Sequence, residues 1–440
     1  MNGVHCNGTL RTGNTHTEIP LSSVPASPYF LDLQLTGAVN RPAISRHGRM
    51  TTRNRPCEPD GGNPMGIVQS ILRGGAAALV VILAASAAFA QAPAVAPCGP
   101  AGSVGLSSAT GLLATLNTVN TAFLTQTNAF VAGQPSAPDQ PGGGVWGRAI
   151  TGEVTLNGSA TVTFVTPPSA PTPCTSRFAE RYVGFQIGGD IARLNVDGTD
   201  FHFGVTGGYI NATGREINGF ATGGFDVPFV GGYAAVIRGG FFADVMVRYD
   251  QYRFTGTQNQ VGLFSKVDGH AYSVSGSAGY HYSLGGWFIE PSAAVIWSRF
   301  SIDPIPFAGN AIFNVPAGNL FVNDIDTLLG RAGVRVGFNQ QFANMNYQPF
   351  IALSVWHEFA DNSQLRAVTL AGPTIFNLSA DRVGTYGQYG VGISGSTLDS
   401  QWVGYARADY RKGDNIEAWG LNAGLRYQFP VAKPVLVTKG

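Results

Sequence analysis

From residue 418 to 429 the chain reads AWGLNAGLRYQF. Trp419, Leu421, Ala423, Leu425, Tyr427 and Phe429 take every second position, with Gly420, Asn422, Gly424, Arg426 and Gln428 between them. A period of two is a strand with one apolar and one polar face. The pattern recurs. Tyr272, Val274, Gly276, Ala278, Tyr280 and Tyr282 oppose Ser273, Ser275, Ser277 and His281, and Trp287, Ile289, Pro291, Ala293, Val295 and Trp297 oppose Glu290, Ser292 and Ser298. Phe241, Ala243, Val245, Val247 and Tyr249 stand against Asp244, Arg248 and Asp250. Leu328, Ala332, Val334, Val336 and Phe338 stand against Arg331 and Arg335. About twelve such segments are expected: 144–155, 181–194, 200–213, 225–237, 240–254, 267–283, 286–301, 323–340, 347–361, 382–396, 401–411 and 416–429.

Composition decides what wets the two faces. Charged residues make up 12% of the chain, about half the usual share of roughly 25%. The polar faces are mostly Gly, Ser, Asn and Gln, which suits a soluble sandwich or solenoid poorly. The gaps between segments add a second constraint. The second, fourth, sixth, eighth and tenth are short (NVDGT, RGG, LGG, QFANMN, TLDS), whereas the odd-numbered ones are longer, as in PFAGNAIFNVPAGNLF; only KGDN breaks the rhythm. Short turns at one rim and long loops at the other describe an outer-membrane barrel with both termini on the periplasmic side. The expected fold is therefore an all-β membrane protein, an antiparallel outer-membrane β-barrel of about 12 strands over 144–429, monomeric, with a tail at 430–440. Trp287, Trp297, Tyr280, Tyr282, Tyr427 and Phe429 lie near strand ends and suit interfacial girdles. The net charge of +1 argues against nucleic acid as a partner.

The N-terminal region is organised differently. Residues 1–64 are polar and aperiodic, with no assigned role, as expected of an extension upstream of a mis-called start at Met65. Residues 65–90 form a Sec signal peptide: Arg73, the apolar run Gly74 to Ala85, and the A-x-A site Ala88-Phe89-Ala90 before Gln91. After Ala90 no segment approaches the 18 apolar residues of a spanning helix, so a membrane form must be a closed barrel. In the stretch 91–143, a short passenger or linker, an uncharged amphipathic helix is expected at about 104–131, with Leu106, Ala109, Leu113, Leu116, Phe123 and Phe130 on its apolar stripe. At 1.5 Å per residue it would extend roughly 40 Å, the height of a barrel. Its Ser, Thr and Asn face suits a snug lumen; a helix in the periplasm is the alternative.

After signal cleavage two cysteines remain, Cys98 before the helix and Cys174 in the first long loop. If the helix threads the pore, both lie at the outer mouth and a disulfide between them would pin it; two unrelated thiols are the alternative. The mature histidines, His202, His270, His281 and His357, have no clearly placed nucleophile, and no phosphate loop, zinc spacing or EF-hand occurs. No catalytic residue, metal or cofactor is expected. Lumen-facing Asp244, Arg248, Glu290, Arg331, Arg335, Arg407, Asp409 and Arg426 are expected to pair across strands.

The order of signal peptide, helix and strands ending in WGLNAGLRYQF resembles the translocator domain of an autotransporter (type V secretion), as do GVWGRAI, WFIEPSAAVIWSRF, LLGRAGVRVGF and QPFIALSVWHEF. The likeness covers about residues 144 to 429. It implies a barrel in the outer membrane of a Gram-negative bacterium that passes its own N-terminal passenger to the cell surface. The implied partners are lipid, the Sec translocon, periplasmic chaperones and the barrel assembly machinery, which would read the last strand at Tyr427 and Phe429. Two departures stand out. PVAKPVLVTKG follows the terminal aromatic, and residues 91–140 are too few for a folded cargo, so the passenger would be vestigial. A passive porin-like channel or surface-loop adhesion protein is the second reading, and a barrel-embedded hydrolase the third.

Overall fold

The computed structural model describes residues 100–122, 136–165, 168–217 and 219–431. The extension 1–64, the signal segment with Ala88, Ala90 and Gln91, Cys98, and residues 432–440 lie outside the described residues.

Twelve long strands form the body of the molecule: β1 (Gln140–Phe164), β2 (Thr172–Val196), β3 (Thr199–Glu216), β4 (Ala221–Arg238), β5 (Phe241–Gln258), β6 (Leu263–Tyr280), β7 (Trp287–Ile302), β8 (Ile325–Phe338), β9 (Met345–Glu358), β10 (Thr385–Thr397), β11 (Trp402–Gly413) and β12 (Ile416–Gln428). Each pairs antiparallel with the next. β12 returns to β1 in register from Gly144↔Gln428 to Leu156↔Ile416, closing the ring. Closure satisfies the edge hydrogen bonds, the condition for an apolar outer face to sit in hydrocarbon. Every expected segment falls on one of these strands.

The alternation resolves as the composition demands. Leu421 is 49% exposed on the outside of the ring and Asn422 is 6% exposed on the inside. Val247, Val295, Trp297 and Leu425 likewise face out, while Asp250, Ser273, Ser298 and Arg426 face in and are buried. Aromatic pairs gather at the short-turn rim: Trp287 with Phe338 at 5.4 Å, Trp402 with Tyr427 at 4.9 Å and Tyr280 with Tyr282 at 4.4 Å. Ten residues up β7, Trp297 faces outward again. At about 3.3 Å per residue and a tilt near 40°, that separation is roughly 25 Å, the height of an outer-membrane apolar band. One short turn shows why it can be short: Asp197 and Gly198 both have positive φ (51° and 78°), as a two-residue hairpin turn requires.

Three expectations are corrected. The first long loop is mostly strand, since β1 and β2 stay paired from Gln140↔Leu194 to Val162↔Thr172. Cys174 therefore lies on β2, opposite Ala160, rather than in a loop. The seventh and ninth gaps also fold. Ile305–Phe307, Gly318–Val322, Ser363–Thr369 and Thr374–Ala380 make a side sheet. One edge of it joins the end of β1 from Ala160↔Ala380 to Phe164↔Phe376. At the other, the Ala308 amide donates to the Gly262 carbonyl in the β5–β6 turn at 3.0 Å. The sheet thus bridges from β1 to the far side of the ring. Its strands are short, carry a single charge (Arg366) and are set among Gly and Pro, so their pairing depends on distant partners that local periodicity does not reveal.

Candidate functional site: a lumen filled by the chain's own helix

A helix, α1 (Pro100–Thr121), lies inside the ring. Pro100 suits the first helical position, where its missing N–H has no intrahelical role. The expected span of 104–131 is corrected at its start, which lies one turn earlier; residues 123–131 are outside the described residues. At 1.5 Å per residue the 22 residues rise roughly 33 Å. Leu106, Leu112, Leu113, Leu116 and Val119 are buried, and so are Ser107, Thr110, Thr115, Asn117, Thr118, Asn120 and Thr121. A helix lying on a surface keeps one wet face. This one has none, which excludes the periplasmic placement.

The wall meets the helix residue by residue. At its N-terminal end Gly105 sits against Phe376 and Leu378 of the bridging sheet. At Gly158 of β1 the approach is close enough that a Cβ would lie 2.0 Å from the Thr110 Oγ1; only glycine fits there. Lower down, Thr115 donates to the Glu180 Oε2 at 2.5 Å, and Asn117 donates to the Tyr386 hydroxyl at 3.3 Å. Asn120 donates to Ser298 (2.9 Å) and Thr327 (3.2 Å). At the C-terminal end the Arg248 Nη2 donates to the Val119 carbonyl at 3.2 Å, and the Asn422 Nδ2 to the Ala122 carbonyl at 3.1 Å. Ser136, where the described chain resumes, accepts from Asn195 near the start of β1. The helix N-terminus therefore points to the long-loop rim, and its C-terminus points towards the rim where β1 begins.

Burial of each leucine on α1 contributes about 1.5–3 kcal/mol, and each hydrogen bond to the wall about 1 kcal/mol net. The helix is fixed by many modest contacts, and no charge of its own takes part.

The expected lumenal charges all face inward, with one correction to their pairing. Arg335 and Glu290 pair across strands at 2.7 Å. Arg248–Asp250 (2.6 Å) and Arg407–Asp409 (2.5 Å) instead pair along one strand, because residues two apart share a face. Asp244 accepts from Ser277. Arg331 donates to Ser354 at 3.1 Å and lies over the Trp356 ring. Arg426 makes the longest reach, past β1 to Asp190 on β2, with bonds of 2.6 and 2.9 Å. Asp190 also contacts the His202 Nδ1 at 2.9 Å and accepts from the Tyr233 hydroxyl at 2.9 Å. Both side chains of the Arg426–Asp190 pair are fully buried. Sequence reasoning passed over Asp190, Glu180 and Arg148. On β2 the inward parity of Gln186 would have flagged Glu180.

His281 contacts the Glu290 Oε2 at 3.1 Å and stacks on Phe288. It lines a cavity of about 600 Å³ at the short-turn rim together with Arg335, Asn346, Gln348 and Ser394. His357 is on the outer face, bonded to Thr385 at 2.6 Å. No cluster that could hold a metal ion occurs among the described residues. Tyr427 packs on Trp402 and lies 6.3 Å from Phe429, whose amide donates to the Gly143 carbonyl. Cys174 is buried and disulfide-bonded; the other cysteines, Cys6, Cys57 and Cys98, all lie outside the described residues.

A closed twelve-stranded ring with an apolar exterior, holding a helix from its own N-terminal side, defines an outer-membrane barrel plugged by its own chain. The family profile described as autotransporter beta-domain matches residues 171–409, and the chain belongs to that family. It is 25% identical over 266 residues to the probable autotransporter YcgV of Escherichia coli (strain K12), covering 58% of this chain and 26% of that protein. To the autotransporter CRAC of Citrobacter rodentium (strain ICC168) it is 34% identical over 92 residues, 21% of this chain and 5% of that one. The chain thus spans about a quarter or less of the length of these curated relatives. The crystal structure of the transport unit of the autotransporter AIDA-I from Escherichia coli shares the fold, with a TM-score of 0.54 and 17% identity over 73% of this chain and 98% of that one.

Proposed function

We propose that this outer-membrane β-domain delivers its own N-terminal segment through its lumen to the cell surface. The observation that carries this reading is the direction of α1: enclosed on every side, with Pro100 toward the long-loop rim and Ala122 toward the start of β1. A chain entering from the periplasm as a hairpin would come to rest in that orientation. The filled lumen and the bridged mouth favour this reading over a passive channel. Transport would draw its energy from folding of the barrel and of the exported segment.

In this reading residues 65–90 direct Sec export, with cleavage between Ala90 and Gln91. Periplasmic chaperones escort the chain, the assembly machinery reads Tyr427 and Phe429, and the protein works as a monomer without catalysing a reaction. We assign the partner of Cys174 to Cys98, two residues before α1, where the bond would hold the helix under the bridging sheet. Non-reducing peptide mapping should find the Cys98–Cys174 pair, and two free thiols would reject it. The transport reading is tested by an epitope inserted after Gln91 and probed on intact cells. Antibody access without permeabilisation is the expected result, and an epitope reached only after permeabilisation would reject translocation.

A further inference from the structure

Three wall residues gather at the C-terminal end of α1, and they come from opposite sides of the ring. Arg248 is on β5, Arg411 on β11 and Asn422 on β12. Arg248 reaches the Val119 carbonyl, Arg411 donates to the Thr121 Oγ1 at 2.6 Å, and Asn422 reaches the Ala122 carbonyl. Two of the three are held in place by their own partners. Asp250 accepts from Arg248 at 3.1 Å. The Tyr405 hydroxyl donates to the Asn422 Oδ1 at 2.5 Å, which aims Nδ2 at the helix.

The chemistry of a helix end explains what this collar can recognise. The last four carbonyls of a helix have no intrahelical donor, and cations are favoured there by the helix dipole. Carbonyls in the body of the helix are already taken by N–H groups four residues on, so they offer little to a passing guanidinium. The rest of α1 is uncharged and bonds to the wall mainly through neutral groups. A chain moving outward would therefore slide until free carbonyls come level with Arg248 and Asn422.

We infer that Arg248, Arg411 and Asn422 form an axial stop, which reads the C-terminal end of α1 and so sets how far the N-terminal segment travels. This rests on the transport reading above and adds to it what halts the chain. With the proposed Cys98–Cys174 bond removed, the competing source of register is the tether, residues 123–139, whose length alone could fix where the helix rests.

The test uses the full chain with its four cysteines (Cys6, Cys57, Cys98 and Cys174) replaced by serine, assembled in native outer membranes and treated with a short bismaleimide. Thr115→Cys with Glu180→Cys reports the native register, because the two side chains touch. Val119→Cys with Glu180→Cys reports a helix shifted outward by about one turn, roughly 6 Å, since residues four apart share a face. With four residues inserted between Ala122 and Ser136 and the stop intact, the native pair should still cross-link and the shifted pair should not. Adding Arg248→Ala, Arg411→Ala and Asn422→Ala should raise the ratio of shifted to native cross-link by at least about tenfold, because charged hydrogen bonds to the helix end are lost. Arg248→Lys in place of Arg248→Ala should recover part of the native register. Heat-modifiable migration on gels confirms that each variant is a folded barrel. A shift produced by the insertion alone, or no shift when insertion and stop variants are combined, overturns the proposal. Both outcomes are independent of the intact-cell epitope assay, so failure of the stop is distinguishable from failure of transport.

Discussion

Replacing Arg426 by methionine should weaken the seam at which the ring closes. β12 is the last strand and β1 the first, and Arg426 spans them to reach Asp190 on β2 through two bonds of 2.6 and 2.9 Å. Neither side chain has solvent access, so removing the guanidinium leaves a buried carboxylate with only His202 and Tyr233 beside it. Breaking a buried pair in this way costs about 3–5 kcal/mol, whereas replacing both partners is often close to neutral. In equilibrium terms the single variant loses roughly two to four orders of magnitude. The double variant Arg426→Met/Asp190→Asn should regain most of that loss. Urea unfolding of the refolded barrel in detergent micelles, followed by tryptophan fluorescence, measures both. A single variant within about 0.5 kcal/mol of the parent, or a double variant as unstable as the single, would refute the seam argument.

Other positions make separate predictions. Ala293→Arg, on the outer face between Trp287 and Trp297, should cost about 2–4 kcal/mol of stability in lipid vesicles, while loss of less than about 0.5 kcal/mol would argue that the face meets water. Leu112→Ala on α1, a fully buried position, should destabilise the plugged state by about 2–5 kcal/mol, seen as a lower thermal midpoint of the helix-bound form. Gly158→Ala places a methyl group against Thr110 and should displace α1, raising protease sensitivity of the N-terminal segment. Thr110→Gly should relieve it, and failure of that rescue would mean that the two residues do not share the contact.

The ring was legible because its information is local. In β7 the parity of Trp287 to Trp297 against Glu290 and Ser298 states which face is inside, without reference to any other strand. The gap rhythm likewise gave the orientation of the termini. The bridging sheet was not legible: Thr374–Ala380 pairs with β1 more than 200 positions away, and its seven residues carry no charge contrast to mark a face. The wall pairing was half legible. Sequence placed Arg248 and Arg407 in the lumen, but only the structure shows each taking a partner two residues along its own strand. Asp190 went unnoticed because β2 is rich in glycine near Gly188 and Gly189, which blurs the alternation that elsewhere identifies inward positions.

The placement of α1 within the closed ring is tested most directly by a short bismaleimide cross-link between Asn120→Cys and Ser298→Cys, formed in native outer membranes with the chain's own cysteines replaced by serine. These side chains are 2.9 Å apart across the lumen wall. With the helix threaded, the reagent should join them in most folded molecules, giving a species whose gel mobility differs from that of the untreated barrel. Folded barrels in which the two thiols stay free, each reacting separately with maleimide, would contradict the occupied lumen.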